Sequence, residues 1–359
     1  MGATRPVSAD GHAKLGARLR GQAAYCAAAR SPFYAELLEH LAADAEAGGP
    51  TWDLLGPTVD DPALQVPQLR LLGAVHRLVL GGAAPGLTAH YPSVGGDADA
   101  TAAWPEVRSL LTARHDELAR SLDRPPQTNE VGRSAALIGG FLTVAAETGH
   151  PLRVLEIGSS AGLNLRFDQF WYQSGAHGFG DPASPVRFVD VWGGRPPPFG
   201  TTMTVSSRAG CDHDPINPAS YAGRLALLGY VWPDQPARFA LLRAALDVAA
   251  RVPATIDQAD ALEWVTAQLA EPHPDEATVV FHSIVMQYFA PDAITDFAAV
   301  LADAGARATR SAPLAWLRLE PTSPSEVTRA ELRLTVWPEG EERLLGLAGF
   351  HGTPVEWRA

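Results

Sequence analysis

Lysine is nearly missing from this chain. Of 28 basic residues only Lys14 is a lysine, and against 40 acidic residues the formal net charge is −12. Broad electrostatic binding of DNA or RNA needs a clustered basic face that this balance does not offer. Small neutral or cationic substrates suit it better. There are only two cysteines, Cys26 and Cys211, far apart and without metal-ligand spacing. No metal is expected, and a reduced, cytoplasmic setting is. Residues 1–19 lack the continuous apolar core of a signal peptide, and no apolar run reaches the roughly 18 residues that would cross a bilayer. Membrane insertion is therefore not expected.

What is present is an ordinary globular composition, 46% hydrophobic and 19% charged over 359 residues, enough for one large or two modest domains. Residues 1–150 read as a helical N-terminal domain. Leu15, Leu19, Ala23 and Cys26 recur at helical spacing, and Ser31-Pro32 reads as an N-cap followed by proline at N1, opening a helix that stops at Gly48-Gly49. Leu69 to Leu80 makes a second clear helix, on which His76 reads as structural. Pro105 to Ser121 predicts another. Gln127 to Ser134 then starts a helix to about Thr148, with Thr128 or Asn129 as N-cap. Asn129, Glu130 and Arg133 either reach a ligand at the mouth of the next element or form a capped, solvated helix start.

From residue 151 onward strands and helices alternate, the pattern of a parallel sheet with crossover helices. Leu152 to Ile157 is a short apolar run that includes Glu156. The turn Gly158, Ser159, Ser160, Ala161, Gly162 follows, leading into a helical pattern. A strand, a tight turn of small residues and a helix N-terminus can receive a nucleotide-like ligand, although such turns also serve purely structural ends. The spacing differs from the Gly-x-Gly-x-x-Gly of dinucleotide sites.

Residues 171–202, rich in Gly, Pro and aromatics, form an insertion that reads as a substrate cover. Met203 to Cys211 is the second strand, followed by Asp212, and Ala254 to Gln258 is a weak third, followed by Asp260. Asp260 also reads as a helix N-cap. Thr278 to Val285 is the strongest buried strand. It carries His282 toward its carboxyl end, where ligands bind in open α/β sheets and an imidazole suits proton removal; a hydrogen-bonded core histidine is the alternative. Leu314 to Glu320 is a fifth strand, and a hairpin joins Glu331 to Trp337 with Arg343 to Phe350.

The ordered series Glu156-Gly158-Gly162, Asp212, Asp260 and His282 resembles class I S-adenosylmethionine (SAM) methyltransferases, with Ser160 in place of the usual middle glycine. The resemblance implies an α/β, Rossmann-like class I methyltransferase sheet over residues 151–359, parallel strands ending in an antiparallel terminal hairpin, behind the N-terminal helical domain. It implies SAM as cofactor, held by Glu156, Gly158, Ser160 and Gly162, with Asp212 on the ribose and Asp260 on the adenine. His282 would be the base with Tyr288 as helper. Asn129, Arg133 and Arg166 would bind the substrate, a small molecule.

Over nearly its whole length the chain also resembles a bacterial family without a settled activity, the DUF2332 proteins, common in actinobacteria. That likeness rests on Ser31-Pro32-Phe33-Tyr34, Tyr91 to Gly96, Gln127 to Ser134, Leu155 to Leu165 and Gly349 to Val355. A non-methylating enzyme on the same fold and a non-catalytic ligand-binding protein remain the alternative readings.

Overall fold

The computed structural model describes residues 9–62, 66–123, 128–323 and 328–359. Gln127, at the start of one polar motif, lies outside them. The chain divides into two compact units, one of Met1–Thr128 with Tyr221–Ala240 and one of Asn129–Ser220 with Leu241–Ala359. The helices are α1 (Ala9–Ala28), α2 (Pro32–Glu46), α3 (Pro50–Leu55), α4 (Pro67–Leu80), α5 (Ala100–Ala113), α6 (His115–Leu122), α7 (Ser134–Thr148), α8 (Tyr221–Gly229), α9 (Pro236–Ala249), α10 (Ala261–Gln268) and α11 (Pro291–Ala306). No helix among the described residues is long and apolar enough to cross a membrane.

The first unit is helical. Leu15, Leu19, Ala23 and Cys26 of α1 and Leu37, Leu38, Leu41 and Ala45 of α2 are buried in one core, as their spacing on one helix face requires. Ser31 does not cap α2. Its hydroxyl donates to Asp234 Oδ1 at 2.6 Å, and Asp234 Oδ2 accepts the Phe33 N–H at 3.0 Å, so a carboxylate distant in sequence satisfies the helix start. Pro105 lies inside α5, which begins earlier than the sequence suggests, because Asp99 accepts the Ala102 N–H at 2.8 Å and sets the start there. His76 is buried, with Nδ1 on the Gly229 carbonyl at 3.2 Å and Nε2 on the Ser93 hydroxyl at 2.7 Å.

The second unit is a mixed α/β structure on a mostly parallel central sheet. Its strands are β1 (Leu152–Ile157), β2 (Trp171–Ser174), β3 (His177–Phe179), β4 (Arg187–Val189), β5 (Trp192–Gly193), β6 (Val205–Asp212), β7 (Thr255–Gln258), β8 (Ala277–Ser283), β9 (Leu314–Glu320), β10 (Arg329–Trp337), β11 (Glu341–Gly349) and β12 (Val355–Trp357). The large sheet runs β5-β12-β11-β10-β9-β8-β1-β6-β7. The strands β9, β8, β1, β6 and β7 are mutually parallel, and β10, β11 and β12 are antiparallel additions.

All six residues of β1 are buried, as a strand covered on both faces must be. α7 covers one face at close range: a Cβ on Gly140 would overlap Leu317, and one on Gly139 would overlap Trp357. Phe297 and Leu301 of α11 with Trp264 and Val265 of α10 cover the other.

Residues 171–202, expected as a cover loop, instead carry the small sheet β3-β2-β4 with Tyr172, Phe188, Trp192 and Phe199 in ring contact. The segment is pinned at the sheet edge, where β5 pairs with β12 and the Trp192 indole donates to the Ala135 carbonyl at 3.1 Å.

Candidate functional site

The order of the central strands locates a crevice. From β1 the chain moves to β6 and β7 on one side, and from β8 it moves to β9 on the other. β1 and β8 are neighbours whose connections diverge, and in open α/β sheets the ligand crevice lies at the carboxyl ends of such a pair. Glu156, the 158–162 turn, Asp212, the Ser283–Val285 segment and Glu320 all lie at that end.

Gly158, Ser160 and Gly162 have φ of +68°, +52° and +64°. The serine therefore adopts the left-handed conformation that a glycine would take there, at a cost of about 1 kcal/mol or more. The turn is tied to β6: the Ser159 N–H donates to the Cys211 carbonyl at 3.0 Å and the Ser160 N–H to Asp212 Oδ2 at 2.8 Å. Asp212 Oδ1 accepts the Asp214 N–H at 3.0 Å. The other two glycines give way to protein: a Cβ on Gly158 would lie 2.5 Å from Val285 Cγ2, and one on Gly162 would lie 2.6 Å from Ile256 Cδ1.

Glu156 is 2% exposed, and its Oε2 has no hydrogen-bond partner. Burial pushes its carboxyl well above the usual range; Arg166 and Arg133 pull it down and Asp212 pushes it up. Glu156, Asp212, Arg133 and Arg166 thus form one electrostatic group beneath and beside the turn.

The remaining sequence-predicted residues are placed as follows. Arg166 is turned inward, donating from Nη1 to the Ala161 carbonyl at 3.1 Å and the Gly162 carbonyl at 2.5 Å, and from Nε to the Val252 carbonyl at 3.0 Å. It holds the turn in place instead of presenting a fork to substrate, and burial lowers its pKa to about 10. Arg133 Nη1 donates to the Ser283 carbonyl at 2.9 Å. Asn129 does not cap the helix after it, because its Oδ1 accepts the Leu163 N–H at 2.9 Å and so joins that polar motif to the turn; Glu130 caps Gly132 instead. Asp260 caps α10 through Oδ1, accepting the Leu262 and Glu263 N–H groups at 2.9 and 3.1 Å. Tyr288 is 58% exposed on a short turn.

Two expectations are corrected. The turn does not lead into an α-helix: Asn164–Gln169 is a six-residue 3₁₀ segment, non-helical at Arg166, whose inward side chain interrupts it. No helix N-terminus therefore faces the turn. His282 is not an available base. It is fully buried; Nδ1 donates to Glu320 Oε1 at 2.6 Å, and Nε2 accepts the Trp316 indole N–H at 3.0 Å. With an N–H aimed at Nε2, the proton belongs on Nδ1, and neither nitrogen is left for a substrate.

Glu320, which the sequence marks only as the end of a strand, has the unpaired oxygen that His282 lacks. Glu320 ends β9, its Oε1 accepts from both His282 and the Val285 N–H at 3.0 Å, and its Oε2 is buried without a partner. The signal was a lone acid closing an apolar strand. Two further motifs meet backbone to backbone: a Cβ on Gly132 would overlap the His351 carbonyl, one on Gly352 would overlap Gly132, and His351 Nδ1 lies 3.3 Å from Glu130 Oε2. Among the described residues no group of three His, Cys, Asp or Glu is placed to hold a metal ion.

A family model described as "Uncharacterized protein conserved in bacteria (DUF2332)" matches residues 16–357. No curated protein and no solved structure matches the chain.

Proposed function

From the premise that the chain belongs to the DUF2332 family, whose description carries no activity, we propose that it binds SAM at the β1/β8 crevice and methylates a small molecule. The sheet is read as a variant of the class I methyltransferase type. The observation that carries this reading is Glu156: an acid with an unpaired oxygen, buried beneath a left-handed turn at the topological switch point, leaves a polar group for a ligand to satisfy.

The residues present fit that group. Glu156 and the 158–162 turn would hold its methionine end, Asp212 keeps further lone pairs on both oxygens for ribose hydroxyls, and Asp260 Oδ2 stands outside the α10 cap. When bound, the cofactor supplies an electrophilic methyl on a sulfonium centre. The chain's own work is to align the acceptor, exclude water and receive a proton.

Val285 and Ile256 against the two glycines favour a second reading, a structural turn without a nucleotide. Isothermal calorimetry with SAM and S-adenosylhomocysteine separates the two. Binding of either, abolished by Asp212→Ala, supports the proposal; no heat with either at millimolar concentration ends it.

A further inference from the structure

At the carboxyl ends of β1, β8 and β9 most hydrogen-bond donors have partners inside the protein, with Arg133 Nε and Arg318 Nη1 as buried exceptions. Arg166 holds three backbone carbonyls, and Arg133 Nη1 holds Ser283 O. The N–H groups of Ser159, Ser160, Gly162 and Leu163 are bound to Cys211 O, Asp212, Ser159 O and Asn129. Arg318 stacks 4.0 Å over the Trp316 ring and pairs with Glu342.

Glu320 Oε2 is buried and unpaired, and its carboxylate lies beside the turn, because the Val285 N–H that binds Oε1 belongs to the residue whose side chain meets Gly158. The Trp316 N–H fixes His282 with its proton on Nδ1, so His282 orients Glu320 without neutralising it.

Resting on the methyltransferase reading, we infer that the acceptor substrate is an amine, recognised through its N–H by Glu320 Oε2. A carboxylate or phosphate substrate would set like charge against the Glu320 carboxylate. An alcohol would supply one hydrogen and no compensating charge, whereas a protonated amine supplies both. Glu320 also serves the chemistry: an N–H bond breaks, an O–H bond forms at Oε2, and the electron pair stays on nitrogen. His282 and Trp316 are positioning residues, acting only through Glu320.

The test uses the full chain saturated with S-adenosylhomocysteine and titrated calorimetrically with ethanolamine, benzylamine and spermidine. Ethylene glycol, benzyl alcohol, glycolate and benzoate serve as matched controls. At least one amine should bind, with the controls at least tenfold weaker. Glu320→Gln should keep S-adenosylhomocysteine affinity within about twofold, which also reports that the variant folds, and should lose amine binding at least tenfold. Controls binding as well as the amines, none of the amines binding, or unchanged amine affinity in Glu320→Gln overturns the inference while leaving the cofactor reading intact. Failure of wild type to bind S-adenosylhomocysteine overturns both.

Discussion

Replacing Glu156 with glutamine should make the ligand-free protein more stable at neutral pH, against the general tendency of core substitutions. The side chain keeps its size, so packing around β1 is unchanged, and what is removed is a carboxyl whose Oε2 has no partner in a fully buried strand. Glutamine keeps a polar atom there but cannot ionise, so it escapes the linkage cost of a carboxyl that stays protonated in the native chain, about 1.4 kcal/mol per pH unit above 4.5 and about 2 kcal/mol by pH 6. Taking roughly 2 kcal/mol, and about 2–4 °C per kcal/mol for a unit of this size, Tm should rise by about 4–8 °C.

The sign with pH follows from the upward shift caused by burial. Below the ordinary glutamate value of 4.5 both folded and unfolded chains hold the proton, and wild type and variant should melt together. As pH rises above it the unfolded chain ionises while the native one keeps its proton. Wild-type stability is then lost and the gap opens toward pH 8. Melting curves followed by circular dichroism at pH 4, 6 and 8 measure this directly. A variant less stable than wild type at pH 8, or a gap that does not change with pH, would refute the account of Glu156 as a buried, unpaired acid.

Other outcomes follow from the same geometry. Burial pushes the His76 imidazole down to about 4, so stability should fall as pH drops from 6.5 toward 4, by about 3 kcal/mol; melting of His76→Gln should lack that acid limb. Burial pushes Cys26 up to about 11 and Cys211 up to about 12, and neither thiol should react with a disulfide reagent at pH 8 until the protein is denatured, as a colorimetric titration will show. Gly352→Ala places a Cβ into Gly132 at a φ of +89° and should cost roughly 3 kcal/mol or more in chemical denaturation, whereas Gly175→Ala, with open space around it but a positive φ, should cost only about 1 kcal/mol.

The central strands were legible because burial on both faces writes itself as mostly apolar runs: Thr278 to Val285 and Leu314 to Glu320 correspond closely to β8 and β9. Helix ends set by local residues were legible too, as at Gly48-Gly49 and Asp260. What escaped was decided by distant partners. Ser31 carries a cap signature, yet Asp234 does the capping; Asn129 looks like a cap and instead binds Leu163. The residues after Gly162 have helical spacing, but Arg166 finds carbonyl partners inward and the helix does not form. At the candidate site the sequence singles out His282 on β8, one strand away from Glu320 at the end of β9. His282 has the familiar chemistry, while the orphaned oxygen belongs to Glu320, a distinction that only the Trp316 indole makes visible.

The sheet's central strand has a consequence for biosynthesis. β1 leaves the ribosome long before β8, its second neighbour, since Ile157 and Ala277 are separated by about 120 residues. At typical translation rates the nascent chain carries one bare edge of a strand destined to be wholly buried for roughly 6–24 s. The edge pairing of β5 waits longer still, for Val355 and Glu356. Such a chain should lean on a holdase during synthesis, and ribosome-bound intermediates stalled before residue 277 should be protease-sensitive and prone to aggregate.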